Sequence, residues 1–215
     1  MSLFIVFEGV DHSGKTTFCQ RLRMMLKKQN LTVFNTFEPG GSCLGEDVRN
    51  ILLKSNYDLE PVSELLLFLS DRYQHVQKHL LPALKKFDIV LCDRYFYSTF
   101  VYQGHAKAVS IQLILQLHEK LGLLKLIPDF LFFLSSTPSS LQKRNILKQE
   151  TEVDRFHTQD SIKYFVQMHQ FYLQTFDNLK KYIKKLEIID TSQNLDDNLA
   201  KIYTIIRKKW ATKDQ

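Results

Sequence analysis

Apolar runs alternate along this chain with longer stretches in which apolar residues recur at helical spacing. Five short runs predict strands, at residues 4–7, 32–36, 89–92, 130–134 and 186–189. The stretches between them predict helices at about 16–28, 45–54, 61–86, 97–103, 110–121, 159–182 and 196–210, and one more that starts at Pro138. Strands that alternate with helices indicate a three-layer α/β fold with a mainly parallel, five-stranded sheet flanked by helices.

Composition and charge narrow the class of protein without deciding it. The 215 residues, 44% of them hydrophobic, fit one domain with a sizeable core. The net charge of +6 suits a nucleic acid or a small polyanion. However, the basic runs at 180–185 and 207–209 alternate with apolar residues, as on the solvated face of a helix. We therefore expect no nucleic-acid partner.

The cysteines and the length of the apolar runs bear on the compartment. Cys19, Cys43 and Cys92 lack the spacing of a metal site and suit a reducing environment without disulfides. The first ten residues lack the basic start of a signal peptide, and no apolar run is as long as a membrane span. We expect a cytoplasmic protein with no membrane partner.

The first strand leads directly into a glycine-containing motif. Gly9-Val-Asp-His-Ser-Gly14-Lys15-Thr16 fits the phosphate-loop pattern G-x-x-x-x-G-K-[ST] in the strand–loop–helix context that this pattern requires. Two glycines let backbone N–H groups turn toward phosphate oxygens, and the following helix adds its dipole. Lys15 is expected to reach the β and γ phosphates, and the Thr16 hydroxyl to take one position on Mg²⁺. The predicted donor site comprises Gly9, Val10, Asp11, His12, Ser13, Gly14, Lys15, Thr16 and Thr17.

A phosphate loop alone leaves NTPases, GTPases and small-molecule kinases open, so a second group of residues has to decide the class. Glu64, Phe68 and Arg72 are spaced four residues apart and share one helix face. Phe68 could stack on a planar heterocycle while Arg72 donates to it; core packing and a surface ion pair explain the two residues equally well. At the end of the third strand, Arg94 could hold an acceptor phosphate and Asp93 a metal-bound water.

Four groups of residues, taken together, resemble the thymidylate kinases of the bacterial type. They are Phe7-Glu-Gly-Val-Asp-His-Ser-Gly-Lys-Thr-Thr17; Glu38-Pro-Gly-Gly41 with Leu44-Gly45; Glu64-Leu-Leu-Leu-Phe68 with Asp71-Arg72; and Asp93-Arg94-Tyr95 with Ser98-Thr99 and Tyr102-Gln103-Gly104. They follow the family's order over about the first half of the chain, while the second half matches more loosely. The resemblance implies a phosphate-loop kinase fold, a homodimer, and transfer of the ATP γ-phosphoryl group to dTMP with Mg²⁺.

The resemblance also implies roles for individual residues. Asp11 and Glu38 would lie at the acceptor sugar, with Glu38 also near the metal, and Arg94 would hold the 5′-phosphate. Phe68 would stack on thymine and Arg72 would hydrogen-bond to it. The dTMP site would comprise Asp11, Glu38, Phe68, Arg72, Arg94, Ser98, Tyr102 and Gln103, with Ser98 and Gln103 reading the base edge and Tyr102 crowding the 2′ position. Thr16 and Asp93 would serve the metal.

Three positions depart from the family pattern. His12 stands where one branch has an arginine, Phe37 where bacterial members usually have arginine, and Ser135 where an aspartate usually ends the strand. The last two would weaken phosphate binding or broaden the substrate range. The other branch supplies cations from a mobile lid, expected here at about 142–157. The catalytic set would then comprise Lys15, Arg94, Asp11, Arg144, Lys148 and Arg155.

Two alternatives to this assignment remain open. A kinase of another deoxynucleotide or of a deoxynucleoside would keep the fold and change the acceptor. A nucleotide-dependent nucleic-acid-binding protein belongs to a different class, and steeply salt-dependent binding to single-stranded DNA would favour it.

Overall fold

The structure is a computed structural model that describes residues 2–137 and 161–211. Five strands form one sheet with the order β2-β3-β1-β4-β5, and every neighbouring pair is parallel. The strands are β1 (Leu3–Glu8), β2 (Val33–Phe37), β3 (Ile89–Asp93), β4 (Phe130–Ser135) and β5 (Leu186–Asp190). The predicted five-stranded parallel sheet is thus confirmed, with boundaries shifted by one residue in places.

Helices cover both faces of this sheet. They are α1 (Lys15–Lys27), α2 (Cys43–Lys54), α3 (Pro61–His75), α4 (Leu81–Lys86), α5 (Phe96–Thr99), α6 (Ile111–Lys120), α7 (Ser161–Asn178) and α8 (Leu195–Ala211). Short 3₁₀ turns lie at Leu123–Lys125 and Lys180–Tyr182. Within the described ranges, no helix is long and apolar enough to cross a membrane.

The central strand β1 separates two hydrophobic cores. Leu3, Ile5 and Phe7 contribute to a core with α1 and α8, whereas Phe4 and Val6 contribute to a core with α3, α5 and α7. Side chains of a strand alternate between its two faces, so a strand covered on both sides is apolar throughout. This explains why the apolar run at 4–7 is continuous.

Two helices predicted as regular contain π-helical turns. The predicted helix 61–86 is divided by a π turn at Val76–Leu80, where the Leu81 N–H donates to the Val76 carbonyl. Pro82 follows directly, and because proline has no N–H, the regular ladder cannot continue through it. The predicted helix 97–103 is helical throughout, but α5 ends at Thr99 and continues as a π turn at Phe100–Ala106.

The register of the sheet brings three strand ends together. Phe7 of β1 and Phe37 of β2 both lie opposite Asp93 of β3. Beyond the strands, the Glu38 N–H donates to the Asp93 carbonyl at 3.0 Å, and the Arg94 N–H donates to the Phe7 carbonyl at 2.9 Å. The loops after these strands therefore share one edge of the sheet, as predicted, where ligands of parallel α/β sheets bind.

Candidate active site

The loop after β1 curls around the ammonium group of Lys15. Gly9 and Gly14 have φ of +154° and +96°, which favour glycine. A Cβ on Gly9 would also lie 2.8 Å from the Leu134 carbonyl oxygen. Lys15 Nζ donates to the carbonyls of Gly9 at 3.1 Å and Val10 at 2.9 Å. The loop thus has the curled backbone that the phosphate-loop motif predicted.

The two residues predicted for the metal lie side by side. Thr16 Oγ1 donates to Asp93 Oδ2 at 2.6 Å, although the residues are 77 positions apart in the chain. In the described parts of the chain, no group of three His, Cys, Asp or Glu side chains could hold a metal ion. A hydroxyl and one carboxylate are hard oxygen donors of the kind that Mg²⁺ takes together with substrate phosphates and water. The donor set therefore fits Mg²⁺.

Arg94 connects the phosphate loop to the rest of the site. Its Nη1 donates to the Gly9 carbonyl at 3.1 Å, to Ser98 Oγ at 3.1 Å and to Tyr172 Oη at 2.9 Å. Its Nη2 forms an ion pair with Asp11. Arg94 has a φ of +69°, a conformation that is strained for a long side chain and is often found at functional sites. The fold thus directs this guanidinium toward the loop.

Glu8, which the sequence patterns did not single out, holds the residues that bond to Arg94. Its buried carboxylate accepts hydrogen bonds from the Tyr95 N–H at 2.8 Å, from Ser98 Oγ at 2.6 Å and from Tyr172 Oη at 3.1 Å. Burial raises the pKa of Glu8, while the nearby charge of Arg94 acts in the opposite direction. The signal in the sequence that could have identified Glu8 is its position as a carboxylate at the end of an otherwise apolar strand.

One cavity opens beside Arg94 and contains every residue predicted to bind dTMP. It is lined by Asp11, Glu38, Pro39, Arg49, Leu53, Phe68, Arg72, Arg94, Ser98, Thr99, Tyr102 and Gln103. Phe68 is half-buried, so part of its ring is accessible. Ser98 lies close to Arg94, as described above, and Tyr102 Oη donates to Asp11 at 3.2 Å. The cavity therefore has an aromatic wall and a cationic side next to the phosphate loop.

Arg72 is held in this cavity by a buried network. Its Nε donates to Glu38 Oε2 at 2.6 Å, and its Nη1 donates to Thr99 Oγ1 at 2.7 Å and to His118 Nε2 at 3.2 Å. His75 donates from Nδ1 to the other oxygen of Glu38 at 2.8 Å. Burial alone would raise the pKa of Glu38, but the Arg72 charge and the His75 hydrogen bond outweigh it and lower that pKa. Glu38 therefore orients Arg72 as an ionised partner.

Phe37 and Ser135, two of the positions that depart from the family pattern, lie beside an arginine and a histidine. The guanidinium of Arg49, a cavity residue that the sequence analysis missed, lies 5.7 Å from the centroid of the Phe37 ring and donates to the Pro39 carbonyl. Ser135 Oγ lies 3.0 Å from His169 Nε2. The proposed lid cations Arg144, Lys148 and Arg155 lie outside the described residues.

Comparison with known proteins identifies the family. A family model described as Thymidylate kinase matches residues 7–202. The chain belongs to the thymidylate kinase family. A thymidylate kinase of Mycoplasma capricolum is 34% identical over 208 residues, covering 96% of this chain and 95% of that protein. One from Chlamydia abortus is 36% identical over 205 residues, covering 94% of each.

A solved structure from the thymidylate kinase family agrees with the fold. The crystal structure of thymidylate kinase from Ehrlichia chaffeensis aligns with a TM-score of 0.70 and 28% identity, covering 96% of this chain and 97% of that one. The expected phosphate-loop kinase fold is thus confirmed.

The charge of Lys15 leads to a prediction for nucleotide affinity. Burial, with the Arg94 charge second, lowers the pKa of Lys15 to about 8. ATP phosphates favour the charged ammonium, so binding above this pKa takes up a proton. We expect the dissociation constant for ATP to rise by about tenfold per pH unit above about pH 8. Titration calorimetry in buffers of different ionisation enthalpy measures both the affinity and the proton uptake.

The matched control for this pH dependence is Lys15→Arg. A guanidinium keeps its charge throughout this range, so any ATP binding by the variant should be nearly independent of pH. An affinity of the unmodified protein that stays constant between about pH 7 and 9.5 would contradict the assignment to Lys15.

Proposed function

We propose that this protein transfers the γ-phosphoryl group of ATP to dTMP, giving dTDP and ADP, and that dTMP binds in the cavity beside Arg94. The observation that carries the proposal is the position of Arg94. It contacts the phosphate loop at Gly9 and Asp11 and lines the same cavity as Phe68. An acceptor phosphate on Arg94 would face a donor phosphate in the loop. Membership of the thymidylate kinase family supports both substrates.

The donor side uses the loop of residues 9–17. Its backbone N–H groups and the start of α1 bind the phosphates, and Lys15 exchanges its carbonyl contacts for phosphate oxygens. Thr16 and Asp93 would hold Mg²⁺, which screens the charge of the β and γ phosphates when bound. Through its contact with the phosphate oxygens, Lys15 supplies a positive charge that moves with the transferred group toward the acceptor.

On the acceptor side, different residues of the cavity bind the base and the phosphate of dTMP. Phe68 stacks on thymine, Arg72 donates to a carbonyl of the base, and Arg94 binds the 5′-phosphate. Asp11 and Tyr102, already joined by a hydrogen bond, lie at the sugar. Glu38 holds Arg72, and the contacts of Ser98 with Glu8 and Arg94 support a further role in positioning Arg94.

Catalysis then consists of positioning and charge neutralisation. Two unit charges about 4 Å apart repel each other by about 4 kcal/mol at an effective dielectric constant near 20, and both substrates carry several. The acceptor phosphate is ionised at neutral pH, so the reaction needs no general base. Arg94 lies between the two sites and lowers this repulsion while it fixes the distance of attack.

Four further parts of the proposal concern the lid, the oligomeric state, the location and nucleic-acid partners. His12 replaces an arginine of one family branch, which favours a cation from the lid at about 142–157. Val62, Leu66 and Tyr73 lie on one face of α3 with exposed fractions of 45%, 51% and 43%, which supports a homodimer through this helix. We also propose a cytoplasmic location and no nucleic-acid partner, since none of the usual binding signatures accompanies the basic runs.

The test of the function is a substrate panel. With ATP as donor, ADP release should be fastest with dTMP and much slower with thymidine, dUMP, dCMP, dGMP and dAMP. Chelation with EDTA should abolish turnover, and added Mg²⁺ should restore it. Faster phosphorylation of thymidine than of dTMP, or no preference among the monophosphates, would overturn the assignment and leave the fold intact.

The lid is tested by replacing Arg144, Lys148 and Arg155 with methionine, one at a time. Replacement of the cation that closes over the transferring group should lower kcat by at least about tenfold, which corresponds to a loss of about 1.4 kcal/mol of transition-state stabilisation. Lys208→Met, on the exposed end of α8, is the matched control. Three lid variants that all keep more than about a tenth of the unmodified kcat would rule out the lid role.

The dimer is tested by sedimentation equilibrium at micromolar concentration. The expected mass is twice that of the 25.3 kDa chain. Leu66→Glu would place a charge on the apolar face and should shift the mass toward the monomer. A monomeric mass for the unmodified protein throughout that range would contradict the homodimer.

A further inference from the structure

An ion pair between a buried carboxylate and a half-buried ammonium group lies behind one residue of the acceptor cavity. The carboxylate of Glu64 has no exposed surface, and its Oε2 is paired with the ammonium group of Lys107. Its Oε1 accepts a hydrogen bond from Gln103 Nε2 at 2.9 Å. Gln103 itself is 1% exposed, and it is one of the residues that line the cavity. The catalytic roles described above make no use of Glu64 or Lys107.

The chemistry of these groups fixes the orientation of the Gln103 amide. An ionised carboxylate only accepts hydrogen bonds, whereas a glutamine amide has an NH₂ donor on one side and an oxygen acceptor on the other. The NH₂ group must therefore face Glu64. Among the described residues, no hydrogen bond to Gln103 Oε1 is formed, so this oxygen is left for the cavity.

The backbone around Gln103 is also constrained. Gln103 lies in the π turn Phe100–Ala106, and the Val109 N–H donates back to its carbonyl at 3.0 Å, which returns the chain so that Lys107 reaches Glu64. A Cβ on the adjacent Gly104 would come within 2.5 Å of Ile111 Cδ1, so this turn packs closely against α6. The turn thus holds the backbone of Gln103 in place, and the hydrogen bond to Glu64 sets the orientation of its amide.

We propose that Glu64, neutralised by Lys107, is a positioning residue that sets the choice of base through Gln103. The proposal rests on the proposed function, with thymine bound in the cavity. The fixed Oε1 accepts a hydrogen bond from N3–H of thymine. A cytosine-type base carries an acceptor at N3 and would place two acceptors face to face, leaving both unpaired. The pair thus selects a base by the hydrogen at N3.

The direct test is Glu64→Gln, which keeps the shape and removes the acceptor-only character. A glutamine at this position turns its oxygen to the Lys107 ammonium group and its NH₂ group to Gln103, which favours the reversed orientation of the Gln103 amide. We compare kcat/KM for dTMP with that for 5-methyl-dCMP, which has nearly the same shape but a different hydrogen-bonding edge. The ratio should fall by at least about tenfold, with some preference retained through Arg72, while KM for ATP stays within about twofold.

A double-mutant cycle separates positioning from general disruption. In a Gln103→Leu background the amide is absent, so adding Glu64→Gln should leave the dTMP preference unchanged within about twofold. An equal loss of preference in both backgrounds would show that Glu64 acts independently of Gln103 and would overturn the proposal. An unchanged preference in the single variant would overturn it as well.

A measurement on the unmodified protein covers the case in which Glu64→Gln does not fold. Neutron diffraction from deuterium-exchanged crystals with dTMP should show both amide deuterons of Gln103 on the side of Glu64 and the N3 deuteron directed at Oε1. Amide deuterons directed at the base would overturn the proposal. Failure of the unmodified protein to prefer dTMP would instead overturn the proposed function, so the two failures are distinguishable.

Discussion

The position of the Arg94 guanidinium is the constraint on which the site depends. Its hydrogen bonds reach the backbone at Gly9, the hydroxyl of Ser98 and the phenol of Tyr172, which come from the loop after β1, from α5 and from α7. Glu8 accepts from both hydroxyl groups and closes the network. A guanidinium that is largely withdrawn from water is stable only when its donors and its charge are matched, so the packing of α5 and α7 on one face of the sheet is coupled to the phosphate loop through this one group. The distance between donor loop and acceptor cavity follows from it.

Arg72, which is buried, shows how a positive charge is stabilised at the end of the cavity that is expected to bind the base. Arg72 has an ionised partner in Glu38 and a neutral acceptor in His118. Burial, followed by the Arg72 charge, lowers the pKa of His118 to about 3, so its Nδ1–H donates to the Ile114 carbonyl and its Nε2 accepts from Arg72. Such a pair gains little net stability, because desolvation offsets most of the attraction. Its contribution is a guanidinium held in one orientation.

Sequence patterns predicted the parts of this structure that depend on local or periodic signals. The buried strands, the helices between them and the phosphate loop were readable because each is specified by neighbouring residues. The π turns at Val76–Leu80 and Phe100–Ala106 were missed, since the apolar spacing changes by only one residue where a π turn is inserted. Glu8 and His75 were missed because their partners, Ser98 and Glu38, are 90 and 37 residues away in the chain.

The base end of the cavity follows one rule that connects Arg72 and Gln103. Arg72 and Gln103 are each backed by a buried carboxylate, Glu38 behind Arg72 and Glu64 behind Gln103. A carboxylate accepts and never donates, so it fixes which atoms of its partner face inward and therefore which remain for the ligand. Arg72 has only donors, and its bonds to Glu38, Thr99, His118 and the Tyr95 carbonyl leave one N–H on Nη2; for Gln103 the remaining group is an acceptor. That order, a donor beside an acceptor, complements a carbonyl beside an N–H, which is the edge of thymine and the reverse of the edge of cytosine.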